Sequence, residues 1–353
     1  MRNITVRAVA AAALRSAASL AVLAASLCAM TPDAALAQAK AMAPYLVSTF
    51  ATSPANTSQP DSIVAWGDSI IVGFQNHVAK DGSDGLSSTL VEFSLAGEIR
   101  RTFSVPGHND GLRIVGDGKL WALQNEDANP NLVVIDLETG LQTPYTFPPT
   151  PHGGGYDDIV VRNGEVYLTA SNPNQPGGIN IFPALVRARL GSNSVMLEPV
   201  LYGNAQAFDI STGATVTLNL SDPDSMSMDL RGNIVFTSQA DSELIFVAHV
   251  GTEEQTVGRL GITSAAAPIT IDDTAFVPPG TACLLVTDVG AGIIYRVDRA
   301  DVGFETGQAY SASDTAGLVG TLNLDNGVVT PVVTGMTSAR GLQFVTAAHH
   351  GSD

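Results

Sequence analysis

Residues 107–140 read GHNDGLRIVGDGKLWALQNEDANPNLVVIDLETG. Within them GLRIV, KLWALQ and NLVVIDL are short runs rich in β-branched and large apolar residues, divided by the Gly, Asp and Asn clusters that favour turns. The pattern predicts a meander of antiparallel strands. Asp110 opens the first run and Asn125 closes the second, 15 residues apart.

The unit recurs. PDSIVAWGDSIIVGFQN, NDGLRIVGDGKLWALQN, DDIVVRNGEVYLTASN, PDSMSMDLRGNIVFTSQ and DDTAFVPPGTACLLVTD align as five copies: a turn acid, a first strand, a tight turn, and a second strand closing on an amide or acid. The acids are Asp61, Asp110, Asp158, Asp224 and Asp273, the strand ends are Asn76, Asn125, Asn172, Gln239 and Asp288, and the separations are 15, 15, 14, 15 and 15. A third run follows each copy (STLVEFSL, NLVVIDL, ALVRARL, ELIFVAHV and GIIYRVD), and most copies carry a weaker fourth. Four antiparallel strands repeating every 48 or 49 residues where uninterrupted make the blade of an all-β propeller around a central channel. Six blades is the preferred count, with five open. The longer intervals predict an extra hairpin or loop around 204–220 and 301–321. The run RGLQFV at 340–345 reads as a sixth innermost strand followed by too little chain to finish a blade. Closure therefore has to use a strand at 45–50 together with strands from QAYSAS, GLVGTLNL and VVTPVVTG.

Arg2, Arg7 and Arg15, an apolar run over 17–30 and Ala35-Leu36-Ala37 before Gln38 form the pattern of a cleaved bacterial Sec-type signal, which predicts a secreted or periplasmic protein. That run falls short of the roughly 20 residues that span a bilayer, so no stable membrane anchor is expected. Leu27 stands before Cys28 where a lipobox wants a small residue. The expected organisation is a signal peptide at 1–37, an N-terminal strand and linker at 38–59, and the propeller at 60–353. Loss of the signal's three Arg and Asp33 moves the net charge from −17 to −19. So acidic a chain argues against nucleic acid or anionic lipid as a partner. Cys283 is then the one cysteine left, in the apolar run ACLLV, and reads as a small buried hydrophobe. A monomer is expected.

In a propeller blade the innermost strand starts on one face of the disc and the second strand returns to it. The regular spacing therefore directs both polar ends of every blade to one rim of the channel. Such a ring of oxygen-bearing groups suits a hard divalent cation, Ca²⁺ among the candidates, or a polyol, with no organic cofactor. Metal candidates are Asp61, Asn125, Asn172, Asp158, Asp224 and Asp273. Asn76, His77, Glu126, Gln239 and Asp288 are candidates for substrate contacts, and Asp127 adds a carboxylate beside Glu126. His108, His152 and Asp110 are the candidate catalytic groups, since a neutral imidazole or a carboxylate can serve as general base. Capping of turns by Asx hydrogen bonds is the competing reading of each Asp and Asn. The chain has no G-x-S-x-G, H-E-x-x-H, P-loop or G-x-G-x-x-G segment. Trp66 and Trp121 read as blade core.

The units HNDGLRIVGDGKLWALQNEDANPNLVVIDLETG and PDSMSMDLRGNIVFTSQADSELIFV resemble the repeats of the β-propeller superfamily that includes NHL-repeat proteins, streptogramin-lyase-like proteins and gluconolactonase or senescence-marker-type lactonases. The resemblance spans about residues 60–345. It implies one divalent metal at the channel mouth, held in the gluconolactonase manner by Glu, two Asn and Asp, with Asn125 and Asn172 in the places of the Asn ligands and Asp224 or Asp273 in that of the Asp. No E-G-P segment opens the first blade, where Asp61 stands, and no S-N-G-L-x-x-S-P-D segment is present. The streptogramin-lyase-like members imply a catalytic His near a metal, a role open to His108 or His152. Two functions follow: a metal-assisted hydrolase or lyase acting on a small lactone, ester or polyol, or a non-catalytic secreted propeller that binds a ligand or protein through the same face.

Overall fold

The computed structural model describes residues 39–346. The export signal expected at 1–37, with Cys28, lies outside them. The described chain forms a ring of six blades. From the channel outward, blade I is Pro60–Trp66, Ser69–Phe74, Ser87–Ser94 and Ile99–Pro106. Blade II is Asn109–Val115, Lys119–Gln124, Asn131–Asp136 and Gln142–Thr146, and blade III is Tyr156–Arg162, Glu165–Ala170, Pro183–Leu190 and Val195–Tyr202.

Blade IV runs Pro223–Met228, Ile234–Ser238, Glu243–Ala248 and Thr256–Gly261. The hairpin expected around 204–220 is present as Gln206–Asp209 and Thr215–Thr217, and its first strand lies parallel to the outer strand of this blade.

The fifth repeat divides between two blades, which corrects the alignment of Asp273 with Asp288. Its first strand, Thr274–Phe276, is innermost in blade V and pairs with Ala309–Ser313, with Leu318–Leu322 and Val329–Thr334 outside. Its second strand, Thr281–Asp288, pairs with Ala339–Thr346, the innermost strand of blade VI, and with Ile293–Arg299. Residues 277–280, Val-Pro-Pro-Gly, replace the hairpin turn of the other copies. Two prolines cannot donate to a ladder, so the chain leaves blade V there instead of folding back. The hairpin expected around 301–321 is present as Ala309–Ser313 and Leu318–Leu322, and with VVTPVVTG it supplies the rest of blade V. Closure comes from the N-terminus: Tyr45–Thr52 is the outer strand of blade VI, and Lys40–Ala41 joins the outer edge of blade V.

The second strands of the blades are sandwiched between neighbours, so they read as continuous apolar runs rather than alternating ones; all six residues of Ser69–Phe74 are buried. The apolar side chains gather in six clusters, one at each junction between adjacent blades. Trp121 is buried in the cluster between blades II and III, and Trp66 packs against the one between I and II. Cys283 is buried between blades VI and I.

Candidate functional site

Each innermost strand enters its blade through a bulge, in which two residues face one on the second strand. The ladders skip Asp61-Ser62, Asp110-Gly111, Asp157-Asp158, Asp224-Ser225 and Arg340-Gly341. In blade V the hydrogen bonds of Asp272 N and Asp273 O to Ala312 place Asp272-Asp273 in the same way. A bulge re-aims the side chains it carries. Here it sets the first residue of each pair at the channel, so that the ring is Asp61, Asp110, Asp157, Asp224, Asp272 and Arg340.

In blades III and V the second residue of the pair joins neighbouring blades. Asp158 Oδ2 accepts the N–H of Met226 at 2.7 Å, and Asp273 Oδ2 accepts that of Leu342 at 2.8 Å. Gly111 holds this place in blade II because a Cβ there would lie 2.4 Å from the carbonyl oxygen of Asp157. Burial, with Asp158's charge in second place, pushes Asp273 up to about 7.

The channel has a volume of about 640 Å³ and is lined by ten carboxylate side chains against three cationic ones, Lys80, Arg113 and Arg340. Arg340 Nη1 lies 2.9 Å from Asp61 and its Nε 3.5 Å from Asp272, so the ring's one cation stands between the acids on either side of it. Arg113 donates to the carbonyls of Ile159 at 2.8 Å and Met226 at 3.3 Å. The acids of blades II, III and IV are left to one another and to Lys80.

There, Asp110, Glu126, Asp157 and Asp224 form a chain of neighbouring carboxyl groups that shift one another's titration. Burial, reinforced by neighbouring negative charge, raises Asp110, Asp157 and Asp224 well above the ordinary carboxylate range. Glu126 goes the other way: burial opposes its charge, but the positive charge of Lys80, helped by the neighbouring carboxyls of Asp110 and Asp157, overcomes it. Asp222, on the same side, is pushed up to about 6 by burial and then by Glu126. The chain therefore holds a charge on Glu126 and protons on its neighbours.

One atom from each of His108, Asp110 and Glu126 lies within 4.8 Å of the others, a spacing that could hold a metal ion. All three residues are buried. His108 Nδ1 lies 2.7 Å from the carbonyl oxygen of Val78, which can only accept, so Nδ1 carries the hydrogen and Nε2 keeps its lone pair in the neutral ring. Nε2 stands 3.8 Å from Glu126 Oε1. His108 Nε2 and Asp110 Oδ2 are buried without a hydrogen-bond partner. Buried polar atoms are rarely left bare, and ligand atoms awaiting an ion are one reason they are.

Of the residues singled out from the sequence, Asp61, Asp110, Glu126, Asp158, Asn172, Asp224, Gln239 and Asp273 line the channel, as does Asp127. Asp158 and Asp273 occupy the joining position, one residue past Asp157 and Asp272. Gln239 donates to Asp272 at 3.1 Å. The others are turned elsewhere. Asn76 accepts from Ser58 N and donates to Thr89 Oγ1 at 2.9 Å, and His77 is an exposed residue in the turn beside it. Asn125, at positive φ, accepts from His108 N and donates to Asn129 O, as an Asx-type turn residue does. His152 is buried with Nε2 2.7 Å from Gly155 O and its ring edge-on to Tyr156, and burial lowers its pKa. Asp288 accepts from the N–H groups of Ala291, Thr337 and Ser338. The residues not foreseen are Lys80, Arg113, Asp157, Asp222, Asp272 and Arg340. A separation of 15 from Asn172 would have pointed to Asp157, where 14 pointed to Asp158.

No family model matches the chain, and no curated protein matches it. Among solved structures it is similar to virginiamycin B lyase from Staphylococcus aureus, at 13% identity and a TM-score of 0.46, covering 80% of this chain and 86% of that one. A structure named as a gluconolactonase is similar at 12% identity and a TM-score of 0.48, over 87% and 90% of the two chains. A luciferin-regenerating enzyme is similar at 8% identity and a TM-score of 0.49, over 88% and 90%.

Proposed function

We propose that the protein is a cation-assisted hydrolase or lyase acting on a small lactone, ester or polyol at the channel mouth, exported to the periplasm or the medium and working as a monomer without nucleic-acid partners. The observation that carries this reading is the convergence of His108, Asp110 and Glu126, with two buried ligand atoms left bare. One imidazole and two carboxylates suit Zn²⁺, Mn²⁺ or a similar ion better than Ca²⁺, which prefers oxygen ligands alone. A bound divalent ion would supply Lewis acidity toward a carbonyl oxygen.

The chain's own groups supply the rest. A cavity of about 640 Å³ holds a small molecule. Asp157, kept protonated by burial and by Asp224, presents a proton at a carboxyl oxygen of the mouth and is placed to give it to a leaving oxygen. Arg340 holds Asp61 and Asp272 in place, leaving their remaining lone pairs for hydroxyl groups of the ligand.

The test follows thermal unfolding with Ca²⁺, Mg²⁺, Mn²⁺ and Zn²⁺, then screens lactones and esters with and without chelator. An ion that binds only the native state raises the Tm. No shift with any ion, in the native sequence as in a His108→Ala/Asp110→Asn variant, removes the cation from the account. One observation favours a second, non-catalytic reading: Lys80 already provides Glu126 with a positive charge, so the mouth could bind a neutral polyol or a protein without any ion.

A further inference from the structure

Lys80 lies on the loop between the second and third strands of blade I, and that loop flanks the proposed cation site. Its Val78 carbonyl fixes the His108 ring, and two residues later the Lys80 ammonium pairs with Glu126 Oε1. Oε1 is also the Glu126 atom that faces His108 Nε2. The backbone here is pinned: Asp127 N donates to Lys80 O at 3.2 Å, and Asn129 Nδ2 donates to Asp81 O at 3.1 Å. The side chain is not pinned, being 50% exposed where that of Glu126 is 9% exposed.

We propose that Lys80 is a resident cation that a divalent ion must displace. The proposal rests on the cation reading above and adds how the site is loaded. A metal ion on Oε1 would sit about 2 Å from that oxygen, within a few ångström of the ammonium on the same atom. Two like charges that close, in a mouth shielded from water, repel strongly. The stem of Lys80 reaches in from solvent, so the ammonium leaves by side-chain rotation, with Asp127 and open water beside it. Loading is therefore an exchange of one cation for another. It opposes weakly coordinating monovalent ions, which cannot pull Oε1 from a lysine, and it lowers the affinity for every divalent ion by the cost of moving Lys80.

Isothermal titration of the metal-stripped protein with MnCl₂ and with ZnCl₂ tests this, in the native sequence and in Lys80→Gln, Lys80→Arg and His108→Ala. Removing the competing charge is expected to tighten binding by about tenfold in Lys80→Gln. Lys80→Arg, which keeps the charge and can grip Glu126 with two N–H groups, binds no more tightly than the native sequence, and His108→Ala loses binding. Detectable binding in Lys80→Gln alone also supports the exchange. If the native sequence binds and Lys80→Gln binds equally or more weakly, the exchange is wrong and the cation site stands. If neither binds, both fall.

Discussion

Replacing Asp273 with Asn isolates a single buried carboxyl whose cost depends on pH. Asp273 accepts the N–H of Leu342 across the junction of blades V and VI, and Asn keeps an oxygen for that bond. Burial, then Asp158, holds the folded-state pKa at about 7 against an ordinary 3.8. Between those values the folded protein binds more protons than the unfolded chain, so this group's stabilisation is complete below about pH 4 and is lost as the pH rises through 7. A shift of roughly three units corresponds to about 4 kcal/mol at pH 8, and screening at a half-buried, channel-lining group trims it to about 2–3 kcal/mol. For a chain of this length that is a Tm difference of about 3–5 °C. Calorimetry at unit steps from pH 4 to 8 should find the two proteins alike at pH 4 and Asp273→Asn increasingly the more stable above it. A difference that does not change with pH, of either sign, would refute the argument that the carboxyl is protonated in the fold.

Two further substitutions test the close fit around the channel. Gly155→Ala would place a Cβ 2.2 Å from the carbonyl oxygen of Asn125, so we expect a loss of at least about 3 kcal/mol in urea unfolding, and wild-type stability would show that the two turns are not in contact. Asp158→Ala strands the Met226 N–H and should cost about 1–3 kcal/mol, whereas Asp158→Asn, which keeps the acceptor, should cost much less; equal losses would mean that the bond does not join blades III and IV.

The propeller was legible because its grammar is local. A strand, a Gly/Asn/Asp turn and a second strand buried on both faces leave a mark within 15 residues, and such marks recurring every 48 or 49 residues where uninterrupted specify blades. What the period could not reveal is which blade a strand joins. The Pro278-Pro279 step carries the chain from blade V into blade VI over a gap no longer than a hairpin, so Asp273 and Asp288 looked like partners. The bulges escaped for a related reason. Asp157-Asp158 and Asp272-Asp273 each offer two acids, and only the skipped ladder position decides which one faces the channel. Lys80 and Arg340 carry no motif at all; one arrives on a loop and the other stands where five blades have Asp. From the sequence His108 and Asp110 are catalytic candidates and Glu126 a substrate contact, and their convergence depends on the loop carbonyl of Val78, which no spacing records.

The central claim is that these three side chains are a cation site. The most direct measurement is anomalous diffraction from crystals of the mature protein soaked in Mn²⁺. The account predicts one strong peak at the channel mouth within bonding distance of His108 Nε2, Asp110 and Glu126, with Lys80 turned away from Glu126. No peak there, or a peak bound elsewhere with Lys80 still paired to Glu126, would contradict it.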